Sequence, residues 1–164
     1  MMKFSYYIFL VLITAFLSSC VSVQLGPDKP KSATGVKFTP PTPPFVPFDN
    51  DAIDSGWKNT SHGTSISYKS VCNGPDLPLE SIQETMLIGI ENMKILKSAR
   101  IPYSQREALV SVAEGKVDGV PTKMQMLILK KNYCTYMLSY VALIKSYEKD
   151  VLKFQHFLNS FEAP

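Results

Sequence analysis

Glu107-Ala108-Leu109-Val110-Ser111-Val112-Ala113-Glu114-Gly115-Lys116-Val117-Asp118-Gly119-Val120-Pro121-Thr122-Lys123-Met124-Gln125-Met126-Leu127-Ile128-Leu129-Lys130 is the stretch that decides the fold. Asp118-Gly119 supplies the two residues that tolerate positive φ in a type I′ turn, and β-prone runs flank it on both sides. Closing that turn fixes the register. Glu114 then faces Lys123 as a cross-strand charge pair, Ala113 faces Met124 and Leu109 faces Ile128. Pattern and turn agree, so the region reads as an antiparallel hairpin.

Outward from the hairpin the reading continues as a meander. Met93 to Ile101 is expected as a strand, broken near Pro102. Lys131-Asn132 returns the chain into a last strand, Tyr133 to Leu143. Both faces of the last strands are apolar, so each needs cover. Two helices are expected to provide it. The first runs from about Leu77 to Asn92, with Leu79, Ile82, Met86, Leu87, Ile90 and Met93 at helical spacing, Asp76 as N-cap, and Glu80, Glu84 and Glu91 off the stripe. The second runs from about Ser146 to Phe161, with Tyr147, Val151, Phe154, Leu158 and Phe161 as its stripe and Phe157 beside it. An earlier strand, Ser65 to Val71, ends at Cys72, and Asn73-Gly74-Pro75-Asp76 is a turn. The fold class is α+β: an antiparallel meander packed with helices in a layered α/β sandwich, one small domain over residues 57–164.

The N-terminal third has a different texture. Lys3 precedes an uncharged apolar run, Tyr6 to Leu17, of signal-peptide length and too short for a comfortable membrane span. Leu17-Ser18-Ser19-Cys20 resembles the bacterial lipobox. The resemblance implies lipidation of the Cys20 thiol and cleavage before it, so that residues 1–19 are a lipoprotein signal peptide. Several acyl chains on one residue suffice for stable anchoring. Val21 is not Asp, which favours the outer membrane of a bacterial envelope. Residues 20–56 read as the lipidated cysteine followed by a linker, with seven prolines between Pro27 and Pro47 that favour extended polyproline II.

Leading Trp57, the strand with Ser65-Ile66-Ser67-Tyr68, the antiparallel sheet and the closing Phe154-Gln155-His156-Phe157-Leu158-Asn159-Ser160-Phe161 together resemble the PsbP/DcrB-like α/β sandwich. The resemblance spans roughly residues 57 to 162. It implies a non-catalytic envelope or lumenal protein that binds partners and assists assembly.

Candidate chemistry is sparse. Cys72 and Cys134 remain once Cys20 is consumed. In an oxidising compartment they are expected to pair, adding about 2–4 kcal/mol; buried free thiols or a redox or metal pair are the alternatives. His62, in the polar loop Thr60 to Ser65, and His156 read as solvent-exposed, and neither brings the convergent ligands a metal needs. Tyr103, Tyr133, Tyr136 and Tyr140 could line a groove but read better as packing. Catalytic residues, metal and cofactor are expected to be absent. The formal charge of +3, without a clustered basic run, argues against nucleic acid. The expected function is that of a non-enzymatic, lipid-anchored envelope protein. Its partners are the membrane, through the lipid, and another envelope protein; a carrier of a lipid or other apolar ligand is the alternative.

Overall fold

The computed structural model describes residues 31–164. The expected signal peptide, the expected lipidation site Cys20 and the first part of the expected linker lie outside the described residues. Among the described residues the core is one antiparallel sheet of seven strands: β1 (Val46–Phe48), β2 (Ser55–Asn59), β3 (Thr64–Cys72), β4 (Glu91–Tyr103), β5 (Arg106–Val117), β6 (Val120–Lys131) and β7 (Cys134–Leu143). Their order is β1-β2-β3-β7-β6-β5-β4. Two helices cover it, α1 (Leu79–Met86) and α2 (Tyr147–Ser160).

The deciding hairpin forms as the turn dictates. Glu114 pairs with Lys123, Ala113 with Met124 and Leu109 with Ile128, and the Glu114 and Lys123 side chains meet at 3.4 Å. Asp118 and Gly119 hold φ of 50° and 76°. Two further two-residue turns share this geometry, Ser104-Gln105 and Asn132-Tyr133. The β6–β7 turn thus sits one residue later than the expected Lys131-Asn132.

The helices take opposite faces. Phe154, Phe157 and Leu158 of α2 pack on Ile66, Leu127, Leu129, Tyr136, Leu138 and Tyr140. Leu79 and Ile82 of α1 pack on Leu109 and Ile128 of the other face, with Leu87 beside Ala113, Met124 and Met126. Buried Gln83 ties α1 to the sheet by accepting from Ser111 Oγ at 2.7 Å. Helix α1 is shorter than expected. Gly89 at φ 85° and Asn92 at φ 51° break the helical path, and Glu91 already pairs with Lys116 in the sheet. Pro78, not Asp76, precedes its first turn, with no side-chain cap; Asp76 is engaged by the Lys130 ammonium. Strand β4 continues through Pro102, because an edge strand tolerates a missing N–H.

The segment expected to be a free linker is part of the domain from Lys31 onward, and the boundary expected at residue 57 falls inside β2. Lys31 bridges Cys72, and Lys37 bridges Glu162 beyond α2. Ala33 N donates to Ser70 Oγ at 2.7 Å, and Ser32 Oγ to Asp54 at 2.8 Å. Phe38 lies among Trp57, Tyr68 and Phe157 at ring distances of 5.5, 5.3 and 5.6 Å. Phe45 is buried. Prolines prevented helix here, but aromatic burial and β1 pairing fix the path along α2 and the β2 edge.

Candidate functional site

Among the described residues, polar side chains gather at both ends of the sheet. At one end Cys72 and Cys134 are directly opposed across β3 and β7 and joined as a disulfide. The chain's first described residues enter here, since Cys72 N donates to Lys31 O at 2.8 Å. Beside the cystine the Asn73–Asp76 loop and the β6–β7 turn enclose a cleft of about 440 Å³, lined by Arg106, Lys130, Lys131 and Tyr133 among others. Lys130 reaches Asp76 and also donates to Leu77 O at 3.0 Å. Lys131 donates to Ala163 O at 2.7 Å.

At the other end the β2–β3 turn meets the first turn of α2. Asp150, on the same helical face as Tyr147 and Phe154, is buried. Its Oδ2 accepts from Thr64 Oγ1 at 2.7 Å, Asn59 Nδ2 at 3.0 Å and His62 Nδ1 at 2.9 Å. Burial alone would push the Asp150 carboxyl up; the bonds from Thr64, His62 and Asn59 outweigh it and hold the group below its ordinary range. An Asp–His pair is two-thirds of a catalytic triad. Here Thr64, the hydroxyl in contact, binds the carboxylate and not the imidazole, so the arrangement is a clamp of turn to helix. His62 is therefore not the free exposed side chain expected from sequence: it is 32% exposed and held by Asp150. Asp150 escaped notice because it sits between Lys149 and Val151 on a charged first turn. The available signal was its position three residues after Tyr147, on the buried stripe.

The remaining candidates disperse. His156 is exposed on α2, far along the helix from Asp150. Tyr136 and Tyr140 are fully buried, whereas Tyr133 is 91% exposed. Tyr103 donates to Leu158 O at 2.6 Å, and burial pushes its hydroxyl up to about 12. Among the described residues no three His, Cys, Asp or Glu side chains converge on a metal-sized site, and no helix is long and apolar enough to cross a membrane.

No protein-family model and no curated protein matches the sequence. Similarity appears in fold. Cyanobacterial PsbP (CyanoP) from Synechocystis sp. PCC 6803 superposes with a TM-score of 0.61 at 11% identity, over 90% of this chain and 99% of that one. LpqN of Mycobacterium tuberculosis, described as involved in cell envelope biogenesis, gives 0.57 at 7% identity, over 82% and 85%. At such identities the likeness is one of architecture, and the architecture of this chain is PsbP-like.

Proposed function

We propose that this chain is a lipid-anchored, non-enzymatic protein of the bacterial cell envelope, whose α/β domain binds or helps assemble another envelope component. The observation that carries the reading is the N-terminal sequence: a cation, a 12-residue apolar run from Tyr6 to Leu17, and Leu17-Ser18-Ser19-Cys20 at its end. Three further features support it. The Cys72–Cys134 bond suits an oxidising compartment. The fold is shared with an envelope-biogenesis protein. Asp150 and His62 are consumed in holding a turn to a helix. The carrier alternative asks for an open cleft between sheet and helix, and both interfaces are filled, by Phe154 and Phe157 on one side and Met124 and Met126 on the other.

Fractionation tests the anchor. The wild-type chain is expected in the membrane pellet, extractable only with detergent, and Cys20→Ala is expected to leave it. Retention of Cys20→Ala in the pellet, with unchanged fatty-acid labelling, contradicts the reading.

A further inference from the structure

We infer that the disulfide-bonded end of the sheet is a membrane-resting surface, with Arg106, Lys130, Lys131 and Tyr133 lying on anionic phospholipid headgroups. The inference rests on the anchor at Cys20 and adds which face of the domain the lipid surface takes.

Chain length sets the orientation. The described chain begins at Lys31, bridged to Cys72 beside the cystine. Residues 21–30 separate it from Cys20, and the eleven residue steps from Cys20 to Lys31 reach about 40 Å only when fully extended. The opposite hairpin tip, Asp118-Gly119, is a whole strand away: β5 and β6 have 12 residues each, or about 40 Å. The opposite tip reaches the bilayer only with the tether stretched to its full length, whereas the cystine end meets it at any shorter extension.

The chemistry of the end matches an anionic surface. Its cleft is lined by three cations, Arg106, Lys130 and Lys131, and one carboxylate, Asp76. Asp76 offsets Lys130. Lys131 is held on a backbone carbonyl, and Arg106 has no carboxylate partner among the described residues. The opposite tip exposes two cations, Lys116 and Lys145, with Asp118, beside Val117, Val120 and Ile144, and so has fewer cations per carboxylate. Cations next to an anionic leaflet gain from its surface potential, and the gain fades within a Debye length.

Tyr133 is the second mark. It occupies a turn position at φ 61°, where Gly or Asn is the unstrained choice. Its ring is 91% exposed, so packing returns nothing to the fold. The Asp118-Gly119 turn shows the usual solution. A tyrosine at the tip, next to Lys130-Lys131, is the residue type that settles at the headgroup level of a bilayer.

Emission quenching in proteoliposomes tests the surface. The lipidated full-length product is reconstituted with brominated phosphatidylglycerol as Tyr133→Trp and, separately, Val120→Trp; buried Trp57 is a common background. Loss of emission is expected for Tyr133→Trp and not for Val120→Trp. It should fall to the level seen in brominated phosphatidylcholine when Arg106→Gln and Lys131→Gln are added, each cation costing about fivefold in surface affinity. Acyl mass at Cys20 is read on the same sample. Acylated Cys20 with equal quenching at both positions, stronger quenching at Val120→Trp, or indifference to lipid charge overturns the surface. Absence of acyl mass, with Tyr133→Trp still quenched by anionic vesicles, removes the tether and sustains the surface.

Discussion

Asp150 Oδ2 lies 2.9 Å from His62 Nδ1, a contact between residues 88 apart in sequence that fastens the β2–β3 turn to the start of α2. Removing the carboxylate leaves the Thr64 and Asn59 donors unsatisfied in a buried place. Asp150→Ala is expected to destabilise the domain by about 2–3 kcal/mol, read as a shifted urea midpoint at unchanged slope. A change within a few tenths of a kcal/mol would show that the clamp contributes nothing.

The same pair predicts a pH dependence. The folded Asp150 carboxyl is held below its ordinary value. Its contribution is therefore complete above about pH 4, the range of an unfolded Asp, and is lost as pH falls through the lower folded value. Wild type and Asp150→Asn should differ at neutral pH and converge below about pH 4. A difference that stays constant from pH 7 to pH 3 would contradict this sign.

Phe38 tests whether the Pro-rich segment belongs to the fold. Its ring neighbours Trp57, Tyr68, Phe157 and Phe161 within 5.3–6.4 Å. Phe38→Ala is expected to cost about 2–3 kcal/mol in burial and lost ring contacts. A segment acting as a free spacer would give no change in thermal midpoint.

Gly115 lies where β4 is irregular, between the Glu91–Lys116 and Lys94–Glu114 pairs. A Cβ there would stand 2.4 Å from Ile90 Cγ2 and 2.9 Å from Glu91 O. Gly115→Val is expected to lower stability by at least about 2 kcal/mol. Gly119→Asn, at a turn position with open space around it, is expected to be tolerated. Equal midpoints for the two variants would refute the close approach.

Cys72 and Cys134 close a separation of 62 residues, for which loop closure alone gives about 4 kcal/mol. The double variant Cys72→Ser, Cys134→Ser should lose stability on that scale, and the wild type should take up no alkylating agent at either position before reduction. Alkylation of both without reductant would show free thiols.

The meander was legible because alternation and turn chemistry state the same register. Once Asp118-Gly119 is a two-residue turn, the Glu114–Lys123 pairing follows by counting. Opposite-face cover was legible too, since Met124 to Leu129 has no polar face to give to water. Where the chain departs from local preference, sequence failed. Proline density hid the packing of half-buried Phe38, the burial of Phe45 and the short β1, whose Pro47 survives on a sheet edge. The apolar stripe continuing past Met86 overstated α1, because Leu87 packs without being helical. The Asp150–His62 clamp joins distant residues, and a polar loop carrying one histidine gives no local sign of its partner.

Cys20 is proposed to be the lipid-bearing first residue of the mature protein. Mass spectrometry of the chain purified from bacterial membranes measures this directly. The expected result is an N-terminal peptide beginning at Cys20 with a diacylglyceryl adduct and residues 1–19 absent. A mature chain that retains those residues, or starts elsewhere with the Cys20 thiol unmodified, would contradict it.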